Sequence, residues 1–243
     1  NLTSSPAMMG NTVVWKPAQT AMLGAYYTMK LLEAAGLPPG VINFVPGDPV
    51  AVSAVAMNSP DLGGIHFTGS TFVFQNMWEH VGVNIRKYKS YPRLVSETGG
   101  KDFIMVHPSA NPQEVAVAMV RGAYEYQGQK CSAASRVYVP KSLWPEVRDR
   151  AVAMMQDISM GDTRDFRNFM GAVIDKKAFD KISGYLADAK QNAKIIAGGG
   201  ARGDEGYFIE PTVIEAPAAD YRTMCEEIFG PVLSVFVYDD NKW

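Results

Sequence analysis

Ile65-His66-Phe67-Thr68-Gly69-Ser70 joins a strand-like run to a helix-like run over residues 70–86, and a second strand-like run follows at residues 93–96. Gly69 and Ser70 stand where the helical pattern begins, as turn and capping residues do. Two strands joined through a crossing helix are parallel. We therefore predict a β-α-β unit over residues 65–96.

The same alternation of strand-like and helix-like runs continues on both sides of this unit. Asn111-Pro112-Gln113-Glu114 has the residues of a helix start, and this helix is predicted to run to about Gln127. Alternating strands and helices favour a layered α/β fold with parallel strands. The other predicted strands lie near residues 12–16, 41–45, 103–106, 135–139, 194–197, 212–215 and 232–238, and the other predicted helices near 19–35, 49–57, 147–158 and 175–190.

Composition narrows the classes of protein that the chain can represent. Its 243 residues are 47% hydrophobic, which is enough for a sizeable core, and the net charge of −2 argues against a nucleic-acid binder. The two cysteines argue against a disulfide framework or a cysteine-rich metal site. His66, His80 and His107 show no metal-ligand spacing, so we expect structural roles for them and no metal.

Two glycine-containing motifs carry the groups best suited to catalysis. In Glu97-Thr98-Gly99-Gly100-Lys101, the carboxylate of Glu97 is either a general base or a salt-bridged residue at a domain boundary. In Gly128-Gln129-Lys130-Cys131, the thiol is either a nucleophile or an inert core cysteine. Cys225 is flanked by Glu226 and Glu227, which disfavour a thiolate, so we expect it to be a bystander.

Several further residues suit a nucleotide. Phe67-Thr68-Gly69-Ser70 is either a phosphate-binding helix start or an ordinary capped turn. Lys16 and Gln19 follow a predicted strand and either bind a ribose or lie on solvated surface. Glu227 offers acceptors to ribose hydroxyls, and Phe229 offers an aromatic face to a planar ring.

Together these motifs resemble the aldehyde dehydrogenase superfamily, and the resemblance covers essentially the whole chain. Residues 124–133 and 142–145 are similar to one group within it, the glutamate-γ-semialdehyde dehydrogenases. The resemblance implies NAD-dependent oxidation of L-glutamate γ-semialdehyde, derived from delta-1-pyrroline-5-carboxylate, to L-glutamate in proline catabolism. The motifs, in the order seen in the superfamily, are Trp15-Lys16-Pro17, Phe67-Thr68-Gly69-Ser70, Glu97-x-Gly99-Gly100-Lys101, Gly128-Gln129-Lys130-Cys131 and Glu227-Ile228-Phe229-Gly230-Pro231.

The resemblance also implies a role for each site residue. Cys131 matches the nucleophile that forms a thiohemiacetal and then a thioester, Glu97 the base for hydrolysis, and Ser132 a ligand of the substrate carboxylate. We expect NAD as the cofactor, and NADP stays open because Gln19 stands where many relatives carry Glu on the adenosine ribose. The cofactor residues implied are Lys16 and Gln19 at the adenosine ribose, Phe67, Thr68, Gly69 and Ser70 at the pyrophosphate, and Glu227 with Phe229 at the nicotinamide half.

The implied architecture is a Rossmann-type cofactor-binding part over residues 1–98, followed by an α/β catalytic domain over residues 99–243, both incomplete. We expect the chain to be the middle of a longer protein and to be inactive alone, because the family's oxyanion Asn and substrate loop would lie outside it. The expected partners are a small aldehyde and, at full length, further copies of the protein, without nucleic acid or membrane. The expected location is intracellular: cytoplasm in a bacterium, mitochondrial matrix in a eukaryote.

Two alternatives stay open at this stage. One is an aldehyde dehydrogenase with another substrate. The other is a superfamily member kept as a structural or binding protein, against which the presence of both Cys131 and Glu97 argues.

Overall fold

The chain divides into two compact units, Asn1–Gly99 and Gly100–Trp243. The computed structural model describes residues 2–243, and none of the helices in that range is long and apolar enough to cross a membrane. The assignment of residues 1–98 to cofactor binding and of 99–243 to catalysis stays a prediction. The first unit contains α1 (Ser4–Met8), β1 (Val13–Trp15), α2 (Met22–Ala34), β2 (Ile42–Phe44), α3 (Pro49–Asn58), β3 (Gly64–Thr68), α4 (Thr71–Val83) and β4 (Arg93–Glu97).

The strands of the first unit form two parallel pairs, β1 with β2 and β3 with β4. A helix crosses between the members of each pair, which is why they run parallel. Ser70 caps α4, because its Oγ accepts a hydrogen bond from the Val73 N–H at 3.2 Å. The β-α-β unit predicted over residues 65–96 is therefore present as β3, α4 and β4.

The second unit is built on one five-stranded sheet in the order β5-β6-β11-β10-β7. The prediction of parallel strands is correct for β5, β6, β10 and β11 but wrong for β7, which is antiparallel to β10. A hairpin of β8 and β9, rather than a crossing helix, connects β7 to β10, so the chain reverses direction. The elements are β5 (Phe103–Met105), α5 (Pro112–Tyr124), β6 (Arg136–Pro140), α6 (Trp144–Gln156), α7 (Lys176–Asn192), β7 (Lys194–Ala197), β8 (Ala201–Arg202), β9 (Phe208–Ile209), β10 (Thr212–Glu215), α8 (Arg222–Cys225) and β11 (Val232–Tyr238).

Both faces of this sheet are covered by helices. Val213 and Leu233 belong to the hydrophobic cluster formed with α5 and α6, while their neighbours Ile214 and Val232 belong to the cluster formed with α7. Successive side chains of a strand point to opposite faces, so one apolar run serves both clusters. This arrangement confirms the predicted α/β class.

Candidate active site

In the first unit, the carboxyl ends of β3 and β4 bring Glu97 beside the Phe67–Ser70 turn. Thr68 is paired with Glu97 in the register of the two strands, and the Gly69 N–H donates to the Glu97 main-chain oxygen at 3.1 Å. The side chain of Glu97 is exposed. A candidate base and a candidate phosphate site therefore share one sheet edge, the edge at which α/β proteins bind ligands.

The Phe67 ring folds back over this turn and stacks on Phe74 of α4, with ring centroids 6.2 Å apart. A Cβ on Gly69 would lie 2.5 Å from the Phe67 ring, so any other residue there would displace the ring. The Phe67 ring therefore packs against α4. The backbone N–H groups of this turn and the Ser70 hydroxyl are the groups that can bind an anion.

Lys16 and Gln19 lie at the carboxyl end of β1. Lys16 is half-buried, and its ammonium donates to the Pro17 carbonyl oxygen. Gln19 is exposed and begins a single 3-10 turn, Gln19–Ala21, that leads into α2. Both positions suit contacts to a ribose at a sheet edge.

In the second unit, a left-handed turn delivers Cys131. The predicted helix end at Gln127 is wrong: α5 ends at Tyr124, and then Tyr126, Gln127 and Gly128 all have positive φ, at 54°, 58° and 64°. Left-handed backbone costs a residue other than glycine about 1–2 kcal/mol, so packing must hold this turn. The turn places Cys131 on a loop after the helix, with its side chain half-buried.

Two glycines allow three chain segments to meet at this loop. A Cβ on Gly128 would lie 2.4 Å from the Gly230 carbonyl oxygen, and a Cβ on Gly100 would lie 2.4 Å from the Cys131 carbonyl oxygen. The Gly100 N–H also donates to Glu227 Oε1 at 2.9 Å. The second unit therefore brings together Gly100 of the first motif, the cysteine loop and the Glu227–Gly230 segment.

The Glu227–Gly230 segment is held from α7 as well. The Lys181 ammonium donates to the Glu227 main-chain oxygen at 2.7 Å, and Gly230 packs against Ile182. Phe229 has a φ of 60° and an exposed fraction of 41%. Lys181 was not foreseen, because its partner lies 46 residues away and the sequence around it has no motif.

The backbone beyond Cys131 is fixed by hydrogen bonds to neighbouring segments. The Ala134 N–H donates to the Gly122 oxygen at 3.0 Å, and the Ser135 N–H donates to the Asp102 oxygen at 3.1 Å. The side chain of Ser132 is exposed beside Cys131, where a polar group of a substrate can reach it. Cys225, the predicted bystander, lies exposed at the end of α8.

Lys101, the last residue of the first motif, carries a buried ammonium, and the sequence alone assigned it no role. Its Nζ is shielded from solvent and makes no hydrogen bond to any of residues 2–243. Burial and, to a smaller extent, the positive charge of Arg136 lower the pKa of Lys101 to about 8. Attraction to Cys225, Glu227 and Glu226 raises the pKa and opposes only part of this shift. The residues of the described range contain no cluster of His, Cys, Asp or Glu suited to a metal ion.

The chain is similar to several proteins named delta-1-pyrroline-5-carboxylate dehydrogenase or a variant of that name. The chain is 48% identical to the delta-1-pyrroline-5-carboxylate dehydrogenase, mitochondrial, of Dictyostelium discoideum, over 100% of the chain and 44% of that protein. The delta-pyrroline-5-carboxylate dehydrogenase of Mycobacterium tuberculosis bound with NAD is 50% identical, with a TM-score of 0.93 over 100% of this chain and 44% of that one. The Thermus 1-pyrroline-5-carboxylate dehydrogenase with bound NAD is 36% identical, with a TM-score of 0.92 over 98% of this chain and 46% of that one.

The chain thus spans less than half the length of the relatives that it matches. The model of the aldehyde dehydrogenase family matches residues 3–242, which is nearly every residue of the chain. The chain belongs to the aldehyde dehydrogenase family.

Proposed function

We propose that the chain carries part of an NAD-dependent dehydrogenase that oxidises L-glutamate γ-semialdehyde, derived from delta-1-pyrroline-5-carboxylate, to L-glutamate. The observation that carries the proposal is the 50% identity, over the whole chain, to an NAD-bound delta-pyrroline-5-carboxylate dehydrogenase. The same name recurs among relatives at 46–48% identity from amoeba, fish and mouse.

Cysteine chemistry is the first element of the mechanism. The Cys131 thiolate attacks the aldehyde carbon and forms a thiohemiacetal, and after oxidation the same sulfur holds the acyl group as a thioester. The hydrogen bonds that fix the backbone at Ala134 and Ser135 hold the loop that presents the thiol. The Ser132 hydroxyl donates a hydrogen bond to the substrate carboxylate, which selects an aldehyde with an acid group.

The residues of each unit fit NAD. In the first unit, Ser70 and the N-terminus of the 13-residue α4 offer donors to a pyrophosphate, and Lys16 and Gln19 offer donors to a ribose. In the second unit, the Glu227 carboxylate can accept a hydrogen bond from the Gly100 N–H and further hydrogen bonds from ribose hydroxyls, because a carboxylate has about four lone-pair sites. NAD, when bound, would supply the hydride acceptor.

Hydrolysis of the thioester is assigned to Glu97. An exposed carboxylate can accept a proton from water and so generate the attacking hydroxide. Release of glutamate then returns Cys131 to its thiol form.

The proposal extends to partners and location in the intact protein. The substrate is a small aldehyde, and the protein assembles with further copies of itself. In a eukaryote it lies in the mitochondrial matrix, in keeping with the word mitochondrial in the names of the relatives from Dictyostelium and mouse, and in a bacterium it lies in the cytoplasm.

The test uses the intact protein with Cys131→Ala and a matched Cys225→Ala control. Wild type and Cys225→Ala should oxidise glutamate γ-semialdehyde faster than propanal or benzaldehyde, since only the first carries a carboxylate for Ser132. Cys131→Ala should lose oxidation entirely and still bind NAD. Residual turnover of Cys131→Ala within about tenfold of wild type, a barrier change of only about 1.4 kcal/mol, would overturn the assignment of the nucleophile. Equal rates on all three aldehydes would overturn the assignment of the substrate.

A further inference from the structure

Arg136, the first residue of β6, links the two chain segments whose ends meet at Glu227. Its Nε donates to the Lys101 carbonyl oxygen at 3.0 Å, and its Nη1 donates to the Met224 carbonyl oxygen at 3.2 Å. Lys101 directly follows Gly100, and Met224 lies three residues before Glu227. One guanidinium therefore bonds to both of the chain segments that the Gly100–Glu227 hydrogen bond joins.

The guanidinium is itself held in a fixed orientation. It lies over the rings of Phe103 and Tyr138, at 5.7 and 5.9 Å from their centroids, and it also donates to the Tyr138 hydroxyl at 3.3 Å. Phe103, Arg136 and Ser234 are register partners on adjacent strands, so this cluster stands on the sheet rather than on a loop. Because a guanidinium is planar with donors in several directions, it can reach two carbonyls and stack at once, which an ammonium cannot do.

A closed ring of contacts follows from these distances. It runs from Arg136 to Lys101, along the backbone to Gly100, across the 2.9 Å hydrogen bond to Glu227, and back along the chain to Met224. The Gly100–Glu227 hydrogen bond fixes the carboxylate only while both segments keep their spacing, and of the contacts in this ring the two Arg136 bonds set that spacing.

We propose that Arg136 is a positioning residue for cofactor binding, which acts by holding the Gly100 and Glu227 segments so that the Glu227 carboxylate is set to receive a ribose of NAD. The inference rests on the proposed function, because it assumes that Glu227 binds that ribose. Arg136 itself contacts neither substrate nor cofactor in this proposal.

A double-mutant cycle on the intact protein tests the inference by NAD affinity, measured calorimetrically. Arg136→Lys keeps the positive charge but cannot donate to both main-chain oxygens at once. We expect NAD to bind about tenfold more weakly, because the loss of one hydrogen bond of about 1.4 kcal/mol corresponds to that factor. Glu227→Gln alone should also weaken binding. If Arg136 acts through Glu227, the double variant should bind no more weakly than Glu227→Gln alone. Arg148→Lys, at a partly exposed arginine of α6, is the matched control and should bind NAD as wild type does.

Hydrogen exchange of the unliganded protein gives a second readout that needs no cofactor. The peptide containing the Gly100 amide should exchange faster in Arg136→Lys than in wild type or Arg148→Lys, because its hydrogen bond opens more often. Arg136→Gln, which can still donate to one carbonyl, should show the same two effects.

Four results would overturn the inference. Additive losses of NAD affinity in the double variant would make Arg136 a merely structural residue, and unchanged affinity together with unchanged exchange at Gly100 in both Arg136 variants would remove any role in positioning. Both results leave the proposed function standing. A wild-type protein that does not bind NAD, or a Glu227→Gln variant that binds it normally, would overturn the assignment of Glu227 to the cofactor and this inference with it.

Discussion

Replacing Lys101 with Met should stabilise the protein at neutral pH, and the gain should disappear as the pH rises. Burial lowers the pKa of Lys101 from the ordinary value of 10.5 to about 8, so the folded protein binds the proton less tightly than the unfolded chain does. That difference corresponds to about 3 kcal/mol of unfavourable free energy for the charged form below pH 8. Methionine is close to lysine in shape and carries no charge, and a volume-conserving exchange of this kind costs under about 1.5 kcal/mol.

The sign of the pH dependence follows from proton binding. Between pH 8 and 10.5 the unfolded chain holds more protons at Lys101 than the folded protein does, so this group makes the free energy of unfolding of the wild type rise with pH. At pH 10 the remaining penalty is under about 1 kcal/mol. The stability advantage of Lys101→Met should therefore shrink by about 2 kcal/mol between pH 7 and pH 10.

Urea unfolding of the intact protein at pH 7, 8, 9 and 10, followed by near-ultraviolet circular dichroism, measures this change. Lys177→Met, at an exposed lysine of α7, is the matched control, and only the excess of Lys101→Met over it is assigned to burial. An advantage that stays constant from pH 7 to 10, or that grows with pH, would refute the argument that the ammonium is buried at an energetic cost.

Two further substitutions test the geometry around the cysteine loop. Gly128→Ala should lower the free energy of unfolding by at least about 2 kcal/mol, because the residue has a φ of 64° and the new Cβ would clash with the Gly230 oxygen. A melting temperature within about 1 °C of wild type, measured by circular dichroism, would contradict this. Tyr124→Phe should cost about 1–3 kcal/mol, since it leaves the buried Thr212 carbonyl without the hydroxyl that bonds it at 3.0 Å; urea unfolding measures the loss, and an unchanged midpoint would contradict it.

The alternation of apolar runs with turn residues was enough to predict the main strands and helices. It failed for α1, of five residues, for β8 and β9, of two residues each, and for α8, of four residues. Elements this short show less than two periods of any pattern, so no periodicity can reveal them. The antiparallel direction of β7 depends on the hairpin that follows, which was missed for the same reason.

The end of α5 illustrates a different limit. Nothing in Glu125-Tyr126-Gln127 ends a helix, so local propensity extends it to Gln127. In the structure, the buried Tyr124 bonds to Thr212 and Gly128 packs against Gly230, and these contacts to residues far along the chain impose the left-handed turn.

The candidate site was predictable where a motif marks it and not where contacts alone define it. Glu97, Cys131, Ser70 and Glu227 lie in short motifs, and the structure places Gly100, Cys131 and Glu227 together in the second unit. By contrast, Arg136 and Lys181 bond to main-chain oxygens at least 35 residues away, which leaves no local trace in the sequence.

Glu97→Gln in the intact protein tests the proposed chemistry most directly. Glutamine keeps the size of the side chain but cannot accept the proton from water, so oxidation should proceed once and hydrolysis should stall. On rapid mixing with NAD and glutamate γ-semialdehyde, we expect a burst of up to one NADH per active site, slow turnover afterwards, and an acyl adduct on Cys131 by mass spectrometry. Steady turnover at the wild-type rate, or the absence of both burst and adduct, would contradict the assignment of thioester hydrolysis to Glu97.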